Sequence, residues 1–216
     1  MIFKNKIASF AVDVQNGFTP NCPQELPVPG GNEIVPEILF MENACGFHVA
    51  SKDWHHAQAK WVATATDPQF SPIPTEENLD IRWNRHCEGG TFGAELLAGL
   101  KAPKGYNYFI WKGMEFDLHP YSAVYHDLKK EMSTGVIEVL NAQRIETVIV
   151  GGLATDYCVK ETALDLRRAG FEVVLYLPAC RGITTETTDA AVAEMAAAGI
   201  KICQNQTELN TIFEEN

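Results

Sequence analysis

The sequence has no apolar run that approaches the ~20 residues of a membrane-spanning helix, so we expect no transmembrane segment. Positive charge is also scarce, because 17 lysines and arginines stand against 28 aspartates and glutamates, for a formal net charge of -11. An acidic surface disfavours nucleic acid and anionic membranes as partners, but it says nothing against a small neutral ligand. We expect no signal peptide, since the apolar run before Asp13 is short and no small-residue cleavage site follows it.

Paired cysteines and glycine-rich nucleotide motifs are missing too. The six cysteines are scattered, with no CxxC pair, which is typical neither of a disulfide framework nor of a zinc finger and suits a reducing cytoplasm. The first strand-to-helix turn reads DVQNGF rather than GxGxxG, and Gly151–Gly152 is too short for a P-loop. Nucleotide binding is therefore not predicted.

Apolar strand-like segments alternate with helical ones, and no repeat or linker divides the 216 residues. We therefore predict one domain over residues 1–216, an α/β/α three-layer sandwich around a mostly parallel, Rossmann-like sheet of about six strands. The predicted strands are Lys6–Val14, Phe47–Ser51, Tyr106–Trp111, Thr147–Val150, Glu172–Leu177 and Ile200–Cys203. The predicted helices are Asn32–Gly46, Thr91–Leu97, Ser133–Ala142, one beginning near Cys158, Thr185–Ala198 and Thr207–Glu215, with Asn32, Thr185 and Thr207 as expected caps.

Polar side chains follow four of the predicted strands. Asp13 ends the first, Asp53 and His55 follow the second, Lys112 follows the third, and Cys158 lies just beyond the fourth. Because parallel strands present their carboxyl ends at one edge of a sheet, we expect these groups to share a crevice. The start of a helix should also lower the pKa of the Cys158 thiol. Taken singly, each residue has a plainer explanation, such as a packed thiol, a turn carboxylate or a solvated lysine.

Asp53 and His55 lie two residues apart, so in extended chain both side chains face the same side and can reach one divalent metal ion. Alone, this spacing is a weak signal, and a solvated loop explains it better. The polar, proline-containing segment 57–82 is long for a plain connection. We predict that it forms a lid, within an insertion that spans residues 57–90.

Several motifs resemble those of the nicotinamidase/pyrazinamidase family of isochorismatase-like cysteine hydrolases. The most specific is GLATDYCVKETALDLRRAG, residues 152–170, which is similar to the family's nucleophile segment. SKDWH matches its metal motif, and DVQNGF matches its first-strand signature except for a glycine in place of an aspartate. WNRHC, the Lys112–Gly113 pair and the Tyr121–Ser122–Ala123 stretch have counterparts as well.

The resemblance implies an amidohydrolase that converts nicotinamide to nicotinate and ammonia, and pyrazinamide to pyrazinoate, through a thioester on Cys158. It implies that Asp13 exchanges protons and that Lys112 favours the charged forms of both groups. The oxyanion hole would consist of the backbone N–H groups of Ala154 and Cys158, with a cis peptide between Leu153 and Ala154.

The resemblance also implies a metal site of Asp53, His55 and His86, for Zn²⁺ first, with Fe²⁺ or Mn²⁺ as alternatives. The residue aligned with a further ligand in some members is Trp61, which cannot bind a metal, so three protein ligands are expected. The residues expected to contact the substrate are Phe18, Trp83 and Tyr121.

Two other functions stay open at this point. One is hydrolysis of another small carboxamide or ureido compound by the same chemistry, and the other is small-molecule binding without catalysis. The metal motif argues against the metal-free relatives, and the three filled catalytic positions argue against a mere binding protein. A homo-oligomer is also an open alternative.

Overall fold

The computed structural model describes residues 6–74 and 76–215. Residues 1–5 and 216 of the predicted domain, and residue 75 of the predicted lid, lie outside the described residues. The strands are β1 (Ile7–Val12), β2 (Phe47–Asp53), β3 (Tyr108–Lys112), β4 (Thr147–Leu153), β5 (Glu172–Arg181) and β6 (Lys201–Cys203). The helices are α1 (Val35–Ala44), α2 (Val136–Ala142), α3 (Lys160–Arg168), α4 (Thr185–Ala197) and α5 (Gln206–Glu215). The six strands form one sheet in the order β3-β2-β1-β4-β5-β6, with all five pairs parallel, as predicted.

Helices cover both faces of this sheet because each strand alternates its side chains between two apolar cores. In β1, Ala8, Phe10 and Val12 pack with residues of α2, α3 and α4, whereas Ile7 and Ala11 pack with α1 and α5. The predicted α/β/α sandwich is therefore confirmed. Among the residues that the structure describes, no helix has both the length and the apolar character needed to cross a bilayer.

The strand order reverses between β1 and β4, which lie side by side in the middle of the sheet. In open α/β sheets such a reversal leaves a crevice at the carboxyl ends of the two strands, where ligands bind. β4 reaches this edge through Gly151 and Gly152, beyond its predicted end at Val150. Gly152 has a φ of +143°, and a Cβ there would stand 2.0 Å from the carbonyl oxygen of Val12, so only glycine fits.

The predicted helix Thr91–Leu97 is wrong, since this segment forms turns. Its carbonyl groups pair with the chain that follows β1: the amide of Asn16 donates to Glu95, and that of Gly17 donates to Gly93. In return, the amide of Leu97 donates to Val14. A seven-residue segment has little helical stability of its own, and here tertiary pairing uses its hydrogen bonds instead.

Helix starts and one strand end also differ from the predictions. The cap of α4 is Thr184 rather than Thr185, and Asn205 rather than Thr207 accepts a backbone N–H of α5. Asn32 belongs to a separate 3-10 turn before α1. β5 extends past its predicted end at Leu177 and includes Pro178. The sheet tolerates this proline because only the three residues 174–176 of β5 pair with β6, and they come before it.

The predicted lid packs around an apolar cluster of its own. Trp61 and Trp83 belong to it, together with Ala59, Ile73 and Leu79. The amide of Trp83 donates to the carbonyl of Trp61 at 3.1 Å, which ties the beginning of the segment to its end. The segment is thus a compact loop, and its opening over the crevice stays a prediction.

Candidate active site

Asp13 follows β1 directly, with a φ of 49° that few residues other than glycine adopt. Its side chain is fully buried, Ser51 donates a 2.7 Å hydrogen bond to Oδ1, and Nζ of Lys112 lies 2.9 Å from Oδ2. Burial raises the pKa of Asp13 to about 6, because desolvation outweighs the opposing pull of Lys112. Such a group is largely ionised at neutral pH and still accepts a proton readily, as a general base must.

Lys112 ends β3, is fully buried, and is the cation around which the acidic groups gather. Besides Asp13, it donates a very short hydrogen bond to Oδ1 of Asp53, lies 3.6 Å from Sγ of Cys158, and donates to the carbonyl of Pro120 at 3.3 Å. Burial alone would lower the pKa of Lys112, but the two carboxylates raise it well above its ordinary value. The side chain is therefore a permanent buried cation rather than a solvated one.

Cys158 lies in a single π-helical turn, Thr155–Val159, between β4 and α3. Its sulfur and one carboxylate oxygen each of Asp13 and Asp53 all lie within 4.8 Å of one another. The prediction of a lowered thiol pKa is wrong for this environment, because burial raises the pKa of Cys158 well above its ordinary value and Lys112 opposes this only in part. The resting group is a thiol beside a base, not a preformed thiolate.

The expected cis peptide, between Leu153 and Ala154, lies at the end of β4, just before the turn that carries Cys158. Ala154 and Cys158 both line the cavity in the crevice. Both residues therefore lie at the same cavity as the Cys158 sulfur, and the role of their backbone N–H groups as an oxyanion hole stays a prediction.

Asp53 turns its second oxygen towards two imidazoles. Oδ2 lies 3.3 Å from Nε2 of His55 and 4.0 Å from Nε2 of His86. In both rings Nδ1 faces a main-chain carbonyl, that of Gly113 at 3.1 Å and that of Asn84 at 2.6 Å. These contacts place the proton on Nδ1 and leave the Nε2 lone pair free, and Nε2 of His55 has no hydrogen-bond partner among the described residues. This donor set fits a divalent metal ion.

The charge states agree with that fit. Burial alone would raise the pKa of Asp53, but Lys112 and His55 hold it well below its ordinary value, so the carboxylate stays ionised. Burial lowers the pKa of His86 to about 3, which keeps the imidazole neutral and able to donate a lone pair. An ionised carboxylate beside a neutral imidazole is the form in which both groups bind a metal.

Comparison with known proteins places these residues in a family. The isochorismatase domain family matches residues 8–207. The chain belongs to this family. A nicotinamidase from Acinetobacter baylyi is 34% identical over 200 residues, which cover 91% of this chain and 92% of that protein.

Solved structures agree with the sequence relatives. A nicotinamidase/pyrazinamidase of Acinetobacter baumannii superposes with a TM-score of 0.84 at 32% identity, over 93% of this chain and 96% of the other. A pyrazinamidase of Pyrococcus horikoshii, solved in complex with zinc, gives 0.72 at 31% identity, over 93% and 99%.

One imidazole of this isochorismatase-family site was not anticipated from the sequence. His119, in the loop after β3, offers a ring nitrogen that lies within 4.8 Å of one from His55 and one from His86. Burial lowers its pKa well below the ordinary value. The available signal was its position, two residues before the Tyr121–Ser122–Ala123 motif.

Trp61, the lid residue that cannot bind a metal, packs against all three imidazoles. Its ring centroid lies 4.5 Å from those of His55 and His119 and 5.1 Å from that of His86. An apolar ring here excludes water from one side of the imidazole cluster, which strengthens electrostatic interactions within it.

The cavity above the sulfur has about 290 Å³ of void, part of it open to solvent. Most of the side chains in its wall are aromatic or apolar, which suits the binding of a flat ring. The structure places all three predicted substrate contacts, Phe18, Trp83 and Tyr121, in the cavity wall. Three further lining residues were missed by sequence reasoning: Leu26, Tyr157 and Ile183.

A hydrogen-bond chain joins the lid to this wall. Nε1 of Trp83 donates to the hydroxyl of Tyr121 at 3.1 Å, and that hydroxyl donates to Asp80 at 2.9 Å. The lid and the loop after β3 therefore hold the two aromatic rings in a fixed relation.

Gln15 is a positioning residue that the sequence motif contains but that received no role. Its fully buried amide donates to the carbonyl of Asp53 at 2.7 Å and accepts from the amide of Asp53 at 2.8 Å. The same NH₂ donates to the carbonyl of Ala94 at 3.0 Å. Gln15 thus fixes the backbone of the residue that faces both Lys112 and the imidazoles.

Proposed function

We propose that this isochorismatase-family enzyme hydrolyses nicotinamide to nicotinate and ammonia, and pyrazinamide in the same way, through a thioester on Cys158. The observation that carries the proposal is the meeting of sulfur, carboxylate and ammonium beneath a cavity lined by aromatic side chains, directly beside a donor set that fits a metal ion. The names of the matched relatives and solved structures support the same substrate class.

In the first half of the reaction, Asp13 takes the proton of the Cys158 thiol as the sulfur attacks the amide carbon. One negative charge then moves from carboxylate to sulfur, and Lys112 lies within 2.9 Å of the first and 3.6 Å of the second. The buried net charge is unchanged by this transfer, so a thiol with a raised pKa can still be activated.

Collapse of the tetrahedral intermediate completes acylation. The backbone N–H groups of Ala154 and Cys158 would receive the oxyanion, and the protonated Asp13 would pass its proton to the departing nitrogen, so that ammonia leaves. In the second half, Asp13 takes a proton from water, which attacks the thioester carbonyl. Nicotinate is released, and the thiol regains its proton.

One divalent ion, Zn²⁺ first and Fe²⁺ or Mn²⁺ as alternatives, would be held by Asp53, His55 and His86. When bound, it supplies a Lewis acid for the ring nitrogen of the substrate and so orients the carboxamide towards the sulfur. The zinc complex of the Pyrococcus horikoshii pyrazinamidase supports zinc as the first choice.

The test is ammonia release by zinc-loaded protein from nicotinamide, pyrazinamide and a ureido compound, each compared with Cys158→Ala. We expect turnover of the two ring carboxamides, none by Cys158→Ala, and a nicotinoyl group on Cys158 in acid-quenched wild-type protein. Turnover of the ureido compound alone would assign the chain to another activity of the family. Binding without turnover of any of the three would favour the non-catalytic alternative.

A further inference from the structure

His119 lies outside the donor set that the motifs assign, yet it faces the same point. It stands seven residues beyond Lys112, in the loop between β3 and α2. The side chain is 4% exposed, and its Nδ1 has no hydrogen-bond partner within the described part of the chain. A buried imidazole nitrogen left without a partner is costly unless something else binds it.

The three imidazoles are spaced as ligands of one ion would be. Two imidazoles bound to a tetrahedral Zn²⁺ at about 2.0–2.1 Å have ring centroids about 5 Å apart. The observed centroid distances are 4.8 Å for His55–His86, 5.4 Å for His55–His119 and 6.0 Å for His86–His119. One ring nitrogen from each lies within 4.8 Å of the others, so a small side-chain adjustment would bring all three to bonding distance.

The surroundings hold His119 in this place. Its amide donates to the carbonyl of Asn78 at 3.3 Å, which ties the loop to the lid. Pro120 restricts the backbone of the residue before it, and its carbonyl accepts from Lys112. The ring itself lies 4.5 Å from that of Trp61. Contacts with the lid and the hydrogen bond from Lys112 to the next residue therefore hold this part of the loop beside the donor set.

We propose that His119 is a fourth protein ligand of the metal ion, so that the site is Asp53, His55, His86 and His119. The inference rests on metal binding under the proposed function and deepens it. Three protein ligands would leave one position of a tetrahedral ion open, whereas four would fill it. A ring nitrogen of the substrate would then have to bind as an additional ligand or in place of an imidazole.

The experiment compares wild-type protein with His119→Ala, with His86→Ala as the positive control and His126→Ala as the matched control from the same loop. Zinc affinity is measured by competition with a chromophoric chelator, and the visible spectrum of the cobalt-substituted proteins reports the coordination. Circular dichroism of the metal-free proteins checks the fold. We expect His119→Ala to bind zinc more than about 100-fold more weakly, beyond the loss typical of a residue that only supports a ligand.

We further expect the cobalt spectrum of His119→Ala to differ from wild type at saturating metal, and added imidazole to restore it. His126→Ala should match wild type in both measurements. An unchanged cobalt spectrum in His119→Ala would overturn the proposal and make the ring a wall of the pocket. A wild-type protein that binds no divalent ion would instead remove the metal from the proposed function, which is a separate failure.

Discussion

Ser51→Ala tests the assignment of Asp13 as the base. Ser51 donates the 2.7 Å hydrogen bond to Oδ1, and both side chains are fully buried. Removing the hydroxyl removes a bond that favours the ionised carboxylate, so the pKa of Asp13 must rise above its value of about 6. Because the base works only when ionised, activity should then need a higher pH.

The size of the shift follows from hydrogen-bond energies. A bond to a charged group contributes about 1.5–3 kcal/mol and one to a neutral group about 0.5–1.5 kcal/mol, so the difference is about 1 kcal/mol or slightly more. At about 1.4 kcal/mol per pKa unit, the acid limb of kcat/KM should move up by about one unit. At the wild-type midpoint this is a loss of about fivefold; about two pH units higher activity falls by about a tenth, and on the alkaline plateau there is no loss.

The assay is ammonia release from nicotinamide as a function of pH, with zinc held saturating. The matched control is Ser9→Ala in β1, whose hydroxyl contacts His48 and not Asp13, and which should leave the midpoint in place. An acid limb that stays at the wild-type pH in Ser51→Ala, or one that moves down, would refute Asp13 as the titrating base.

The remaining predictions concern the groups around Asp13. Alkylation of Cys158 should be slow near neutral pH and accelerate as pH rises, because burial raises the thiol pKa; a pH-independent rate would reveal a preformed thiolate. Lys112→Met should lower the free energy of unfolding by about 3–5 kcal/mol, since two buried carboxylates lose their cation; denaturant titration measures this, and a loss below about 1 kcal/mol would contradict it. Gln15→Leu should weaken zinc binding by about 10–100-fold, because it frees the backbone of Asp53; unchanged affinity in a folded variant would argue against that support.

Much of the architecture was predictable because it depends on periodicity. Continuous apolar runs predicted parallel strands. The carboxyl ends of parallel strands lie at one edge of the sheet regardless of loop conformation, so the polar residues that follow them lie there too. Asp13, Lys112 and Cys158 could therefore be placed together before any contact was known. The helix predicted for residues 91–97 failed for the opposite reason, because the partners of its carbonyls lie almost 80 positions earlier in the chain.

The site was less predictable wherever its properties depend on several loops at once. The pKa of Cys158 was predicted from the start of its own helix, but burial and the two carboxylates decide it, and these come from other strands. His119 has no characteristic spacing to another ligand, so its place just before the Tyr121 motif is a weak local signal. The catalytic and metal roles themselves came from motif resemblance, and they stay predictions until variants are measured.

Asp53 connects the Asp13–Lys112–Cys158 group with the imidazoles of the predicted metal site. Its Oδ1 receives a hydrogen bond from Lys112, while its Oδ2 faces His55 and His86. The same carboxylate thus balances the charge of Lys112 and belongs to the donor set predicted to bind a metal ion. A metal ion bound to Oδ2 would partly neutralise the Asp53 carboxylate and so weaken its attraction for Lys112. The ammonium group would then stabilise the negative charge on Asp13 and on the developing thiolate more strongly. A metal ion bound by this donor set would therefore be electrostatically coupled to the thiol through Asp53, one oxygen of which lies within 4.8 Å of the sulfur.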